Sequence, residues 1–123
     1  MPFDVLIVDD SAAIRKILQR VLRQADVRIG QVWEAADGLE ALEFMKSHPV
    51  GLILSDVNMP NMDGLGLLRA VRGTPEWKSV PFFLITTEGS QNTVLEAVSL
   101  GAAGYVKKPF TAEQIKEKLA AIS

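Results

Sequence analysis

Short apolar runs alternate with amphipathic stretches along the whole chain, and the alternation occurs five times. The apolar runs are Val5-Leu6-Ile7-Val8, Val32-Trp33, Leu52-Ile53-Leu54, Phe82-Phe83-Leu84-Ile85 and Tyr105-Val106. The runs around positions 5, 52 and 82 are continuously apolar, which is typical of parallel strands covered on both faces. Strands and helices in strict alternation predict an α/β domain with a parallel sheet and right-handed crossover connections.

The intervening stretches carry the spacing and the caps of amphipathic helices. Apolar residues of the first recur at helical intervals, at Ile14, Ile17, Leu18, Val21, Leu22 and Ala25. The third, fourth and fifth helices are marked by Leu65, Leu68 and Val71, by Val94, Leu95 and Val98, and by Ile115, Leu119 and Ile122. Asp37 and Glu40 have capping-box spacing at the start of the second helix, as Thr111 and Gln114 have at the start of the fifth. Gly101 is placed to end the fourth helix in a left-handed conformation.

Length and composition limit the classes of function. A chain of 123 residues is expected to form one domain, residues 1–123. Its 13 basic and 15 acidic residues give a net charge of −2, without the basic excess of a nucleic-acid-binding protein. Cysteine is absent, which excludes disulfides and thiolate ligands. Neither a signal peptide nor an apolar run of the roughly 18 residues that span a membrane occurs, so we expect a soluble, cytoplasmic protein.

Polar residues follow four of the five predicted strands. Open parallel sheets bind ligands outside the carboxyl ends of their strands, so we expect these residues to meet at one edge. In chain order they are Asp9 and Asp10, Asp56, Thr86 and Thr87, and Lys107 and Lys108. The second strand ends in Glu34-Ala35, to which the pattern assigns no chemistry.

Each of these residues also has a purely structural interpretation. Asp10 or Ser11 is a suitable cap for the first helix, Asp56 suits a turn, and Lys108 suits a solvated loop. This interpretation is reasonable for any one position and poor for all of them together.

Clustered carboxylates indicate a divalent cation. Two carboxylates about 5 Å apart repel by about 3 kcal/mol at an effective dielectric constant near 20, unless a proton or a cation relieves them. No cysteine accompanies them and the only histidine, His48, lies elsewhere, so Mg²⁺ suits the site better than a transition metal does. With a lysine and a hydroxyl nearby, the site suits phosphoryl transfer.

The motifs at the strand ends resemble those of the receiver domains of two-component response regulators. They are Val8-Asp9-Asp10-Ser11, Ser55–Gly64, Thr86-Thr87-Glu88 and Gly104–Phe110. The resemblance covers essentially the whole chain and is nearest to single-domain regulators of chemotaxis. It implies a flavodoxin-like, doubly wound (βα)5 fold of three layers with strand order 2-1-3-4-5.

The resemblance also implies a role for each acidic residue. Asp56 accepts a phosphoryl group from a histidine kinase or a small phosphodonor. Asp10, Asp56 and the backbone carbonyl of Asn58 bind Mg²⁺, and Asp9 holds the metal through water. The chain is then a signalling switch that catalyses only its own phosphorylation and dephosphorylation.

The remaining site residues have implied roles in switching. Thr86 and Lys108 bind the phosphoryl oxygens, and Tyr105 changes rotamer as Thr86 moves. The Lys108–Pro109 peptide bond is expected to be cis, which aims Lys108 into the site. The switched surface is the face formed by the fourth helix, the fifth strand and the fifth helix.

The implied partners are proteins: a histidine kinase, a phosphatase, and a downstream target such as the flagellar motor switch. The protein itself is expected to be a monomer. After Thr86-Thr87-Glu88 the chain reads Gly89-Ser90-Gln91-Asn92, where chemotaxis regulators typically have lysines, although Lys118 on the last helix matches. The output face is therefore altered in charge. Thr87 and Glu88, with Asn58, are expected to influence the lifetime of the phosphorylated state.

Three alternatives stay open on the sequence. The chain is also compatible with a receiver domain excised from a longer regulator with an output domain. A Mg²⁺-dependent aspartyl phosphatase of the haloacid dehalogenase type wants Asp-x-Asp after the first strand and a cap domain, whereas this chain has adjacent Asp9 and Asp10 and no room for a cap. A flavin-binding protein of this fold needs a phosphate loop in the place where these two carboxylates would repel phosphate.

Overall fold

The computed structural model describes residues 3–24, 29–86, 91–108 and 110–120, and within them five strands alternate with five helices. In chain order the elements are β1 (Phe3–Val8), α1 (Ala12–Gln24), β2 (Ile29–Ala35), α2 (Gly38–Met45), β3 (Leu52–Asp56), α3 (Gly64–Arg72), β4 (Phe82–Thr86), α4 (Gln91–Ser99), β5 (Gly104–Lys107) and α5 (Ala112–Ala120). All strand pairs are parallel and the order is β2-β1-β3-β4-β5. The predicted α/β fold and strand order are confirmed.

The central strands are apolar on both faces because helices cover the sheet on both sides. In β1, Val5 and Ile7 pack into a core with α1 and α5, whereas Leu6 and Val8 pack into a second core with α2, α3 and α4. All four side chains are fully buried. This two-sided packing fixes the register of β1 against β3, and therefore the positions of the residues that follow these strands.

The predicted helix caps are present. The Asp37 side chain accepts a hydrogen bond from the backbone N–H of Glu40, at 2.8 Å. Thr111 and Gln114 form a reciprocal capping box with distances of 3.2 and 2.9 Å. Gly101 follows α4 with φ of +98°, as its position predicts.

Several apolar residues are more exposed than their spacing predicts. Ile17, at the edge of the α1 stripe, is 44% exposed. On α4, Leu95 and Val98 are 64% and 58% exposed, whereas Ala97 is buried; the side chain of Val94 lies outside the described part of the helix. Of the other predicted core positions, Ala25 and Ile122 lie outside the described residues.

Among the described residues, every helix is too short or too polar to cross a lipid bilayer, since the longest, α1, has 13 residues.

Candidate functional site

Three carboxylates meet where β1 and β3 end. Asp9 and Asp10 follow β1, and Asp56 is the last residue of β3. The two strands are neighbours in which Val8 lies opposite Ser55, so their ends coincide. One oxygen from each carboxylate lies within 4.8 Å of the others. The structure therefore brings together the three acids that the sequence predicts at this edge.

The loop after β1 holds Asp9 and leaves Asp10 out of the helix cap. The Asp9 N–H donates to the carbonyl of Ala35 at 3.0 Å, and Asp9 Oδ1 accepts from the N–H of Ser11 at 2.9 Å. Ser11 Oγ in turn accepts from the N–H of Ile14 at 3.3 Å, so Ser11 caps α1. The capping interpretation holds for Ser11, and the exposed Asp10 belongs with the acidic cluster.

Lys108 supplies positive charge beside the acids. Its Nζ lies 3.4 Å from Asp9 Oδ2 and 3.5 Å from Asp56 Oδ1, and its side chain is only 15% exposed. Its backbone N–H donates to the carbonyl of Thr86 at 2.7 Å, which ties the end of β5 to the end of β4. Pro109 lies outside the described residues, so the cis peptide bond stays a prediction.

Asp56 is electrostatically strained as a carboxylate. Burial raises its pKa above the ordinary value, and the nearby negative charge of Asp9 raises it further. Lys108 and the backbone N–H of Val57, which donates to Asp56 Oδ1 at 2.9 Å, oppose this rise only partly. The site therefore carries negative charge that one lysine does not balance, and a divalent cation would relieve it.

Thr86 and Tyr105 lie on neighbouring strands at the same side of the site. Thr86 is the last residue of β4 and is 8% exposed. It pairs in register with Lys107, two positions beyond Tyr105. Tyr105 is 38% exposed, and Lys118 Nζ lies 5.8 Å from the centroid of its ring. Thr87 and Glu88, which were expected to affect the phosphorylated state, lie outside the described residues.

The loop after β3 is fastened to the start of α2. Asn61 takes a left-handed conformation with φ of +65°, and its Nδ2 donates to Asp37 Oδ2 at 2.7 Å. The N–H of Gly38 donates to the carbonyl of Met62 at 3.1 Å. The loop that carries the exposed Asn58 is therefore held by side-chain and backbone bonds to a neighbouring helix.

Replacing Asp37 with alanine is expected to destabilise the fold by about 1–2 kcal/mol, since it removes both a helix cap and the bond to Asn61. The N–H of Glu40 and the amide of Asn61 hold the pKa of Asp37 below its ordinary value of 3.8. The ionised Asp37 therefore contributes its full stabilisation above pH 3.8, and this stabilisation is lost as the pH falls through the lower pKa of the folded state. Urea unfolding of both proteins across acidic pH measures this. Asp37→Asn keeps a helix cap and should lose less stability than Asp37→Ala. A difference in stability between wild type and Asp37→Ala that grows on acidification would contradict this explanation.

Sequence reasoning missed Arg15 and Glu34. Arg15 Nε donates to Glu34 Oε1 at 2.8 Å, and Gln19 Nε2 donates to Glu34 Oε2 at 2.8 Å. The guanidinium also donates to the backbone carbonyl of Asp9. In the sequence, the available signal was the i, i+4 spacing of Arg15 and Gln19, which places both donors on one face of α1. No local pattern links that face to Glu34 of β2.

A parallel sheet of order β2-β1-β3-β4-β5 that ends in three carboxylates and a lysine has the arrangement expected of a receiver domain. A family model for the response regulator receiver domain matches residues 5–120, and the chain belongs to this family. Chemotaxis protein CheY-3 of Vibrio cholerae is 41% identical over 115 residues, which cover 94% of this chain and 87% of that protein. Chemotaxis protein CheY of Pseudomonas aeruginosa is 41% identical over 115 residues, with 94% and 91% covered.

Solved structures agree with the curated relatives. The structure of Vibrio cholerae chemotaxis protein CheY4, crystallized at low pH, has a TM-score of 0.89 and 36% sequence identity, and the match covers 100% of both chains. The chain is therefore a CheY-like, chemotaxis-related receiver domain of a two-component system. Proteins of this kind are signalling switches that interact with histidine kinases and downstream targets.

Proposed function

We propose that Asp56 accepts a phosphoryl group from a histidine kinase, and that residues 1–123 act as one phosphorylation-activated switch in chemotaxis. The observation that carries this proposal is the position of Asp56, whose largely buried carboxylate lies within reach of two further carboxylates and of Lys108. A switch of this kind turns over only its own phosphoryl group. Similarity to chemotaxis regulators supports a cytoplasmic location.

The donor set fits Mg²⁺. Carboxylate oxygens from Asp9, Asp10 and Asp56 lie close enough to share one ion, and hard oxygen ligands are those that Mg²⁺ prefers. In the proposal Asp10, Asp56 and the carbonyl of Asn58 would bind the metal directly, and Asp9 would hold it through water. When bound, Mg²⁺ neutralises charge on the carboxylates and on the incoming phosphoryl oxygens. The raised pKa of Asp56 supports this, since it reflects a charge for which the protein alone does not fully compensate.

The chain's own residues prepare the transfer. A carboxylate oxygen of Asp56 attacks phosphorus, the bond between phosphorus and the histidine nitrogen of the kinase breaks with its electron pair left on the departing imidazole, and an acyl phosphate forms on Asp56. The Val57 N–H holds Asp56 Oδ1 in place, which fixes the orientation of the nucleophile. Lys108 Nζ, 3.5 Å from the same oxygen, is positioned to stabilise negative charge on the phosphoryl group.

The switch step runs through Thr86 and Tyr105. The acyl phosphate adds charge and acceptor oxygens, which the Thr86 hydroxyl would bind together with Lys108. A movement of Thr86 would let Tyr105 turn inward and bias the α4–β5–α5 face. Exposed Leu95 and Val98 on α4 give this face the apolar side chains that a target protein, such as the flagellar motor switch, would contact. In this proposal the protein acts as a monomer, and a separate phosphatase removes the phosphoryl group to complete the cycle.

The test is the intact mass of the purified protein after incubation with acetyl phosphate and Mg²⁺. We expect one added phosphoryl group, and none when EDTA removes the metal. No addition with Mg²⁺, or equal addition in EDTA, would contradict the proposal. Release of phosphate from an added phosphomonoester, with many turnovers, would instead favour the aspartyl phosphatase alternative.

A further inference from the structure

The Arg15 guanidinium lies where three elements meet beside the acidic site. It belongs to α1, pairs with Glu34 of β2, and donates to the carbonyl of Asp9 after β1. Its side chain is only 17% exposed. The proposed phosphoryl transfer assigns it no role.

Glu34 fixes the orientation of this guanidinium. Both carboxylate oxygens of Glu34 accept hydrogen bonds from α1, one from Arg15 and one from Gln19, each at 2.8 Å. Because Arg15 and Gln19 are four residues apart, their side chains leave the helix on the same face. A partly exposed ion pair contributes little to stability. The main effect of these bonds is therefore to hold the Arg15 guanidinium in one orientation.

The bond from Arg15 holds the peptide that joins two of the three site acids. The N–H of Asp9 is bonded to the carbonyl of Ala35, and the carbonyl of Asp9 accepts from Arg15. The peptide group is planar, so fixing this carbonyl also fixes the direction in which Asp10 continues. Asp10 is exposed, so packing of its own side chain restrains it little, and the direction of the preceding peptide affects where its carboxylate lies relative to Asp9 and Asp56.

We infer that Arg15, held by Glu34, is a positioning residue for divalent-cation binding by Asp9, Asp10 and Asp56. This inference rests on the proposed function, because it concerns the metal that phosphorylation of Asp56 requires. Charge alone predicts the opposite effect, since a guanidinium near the site repels a cation and its removal should tighten binding. Positioning predicts that its removal weakens binding. The sign of the change therefore separates the two.

The experiment compares Arg15→Met with Arg20→Met by calorimetric titration of each protein with Mg²⁺. Both substitutions remove one positive charge from α1, and Arg20 is exposed. We expect the Kd of Arg15→Met to rise about tenfold, as on loss of a group that orients a metal ligand. Arg20→Met should change Kd by less than about twofold, because solvent and salt screen its charge. A Kd for Arg15→Met equal to or below that of Arg20→Met would overturn the inference.

A neutral variant keeps the inference testable if Arg15→Met does not fold. Gln19→Leu leaves every charge in place and removes one of the two bonds that hold Glu34. Its Kd should rise in the same direction by a smaller factor, whereas a purely electrostatic role of Arg15 predicts no change. Far-ultraviolet circular dichroism in EDTA establishes which variants are folded.

Phosphorylation by acetyl phosphate provides a second readout. For Arg15→Met, the Mg²⁺ concentration at half-maximal rate should rise about tenfold, while the rate at saturating Mg²⁺ stays near that of the wild type. A lower rate at saturation with an unchanged half-maximal concentration would overturn the positioning role. If the wild type binds no Mg²⁺, the proposed function fails together with this inference. If the wild type binds Mg²⁺ and the Arg15 and Gln19 variants bind it with the same Kd, the inference fails and the proposed function stands.

Discussion

Replacing Asp56 with asparagine is expected to abolish phosphoryl incorporation. The amide has nearly the shape of the carboxylate, so the surrounding site should persist, but it lacks the anionic oxygen that attacks phosphorus. We therefore expect incorporation to fall below detection. The measurement is intact mass after incubation with acetyl phosphate and Mg²⁺.

Asp63→Asn is the matched control for this variant. Asp63 is exposed and caps α3, where its side chain accepts from the N–H of Gly66 at 2.7 Å. Asparagine caps a helix about as well as aspartate, so this variant loses the same charge without losing its structural bond. It should incorporate phosphate like the wild type. Wild-type incorporation by Asp56→Asn would show that another residue, such as Asp10, is the nucleophile.

The Asp56 variant should also be more stable than the wild type when metal is absent. Burial and the charge of Asp9 raise the pKa of Asp56, so the folded chain binds a proton there more tightly than the unfolded chain does. Above that raised pKa the ionised carboxylate therefore lowers the free energy of unfolding. This destabilisation disappears as the pH falls from the raised pKa to the ordinary value of 3.8. In EDTA, Asp56→Asn should unfold at higher urea concentration at neutral pH, with a difference that narrows on acidification.

Much of the fold follows from hydrophobic pattern because the central strands are buried on both faces. Continuous runs such as Leu52–Leu54 and Phe82–Ile85 match β3 and β4 to within two residues. The edge strand β2 was harder to delimit, since the Val32-Trp33 run covers two of the seven residues of a half-exposed strand. Pattern alone does not set strand order, which came from the resemblance to receiver domains.

The acidic site was predictable because it follows a general rule about where parallel strands end. Asp9, Asp10 and Asp56 are each adjacent to a strand, and the rule places them together. Arg15 and Glu34 were not predictable in the same way, because their contact joins a helix to a neighbouring strand 19 residues away. The side-chain geometry of such a bond leaves no periodic trace in the sequence.

Replacing Gly64 with alanine is expected to destabilise the protein by about 3 kcal/mol, at the upper end of the cost of overpacking. Gly64 begins α3, and its N–H donates to the carbonyl of Val57 at 2.8 Å. A Cβ at this position would clash with the backbone carbonyl oxygen of Asp56 and would lie 3.1 Å from Leu84 Cδ2. The first contact is with backbone that cannot rotate away, so α3 or the end of β3 must shift. Urea unfolding in EDTA measures the loss.

Gly73→Ala is the control for this prediction, because Gly73 caps the other end of the same helix. Its φ of −82° suits any residue, and the nearest atom to an added Cβ is 3.3 Å away. Its stability should change by less than about 1 kcal/mol. Equal stability of the two variants would contradict the steric account. Since the clash at Gly64 is with Asp56 itself, the folded Gly64→Ala protein should also phosphorylate more slowly than Gly73→Ala, which links the packing of α3 to the position of the proposed nucleophile.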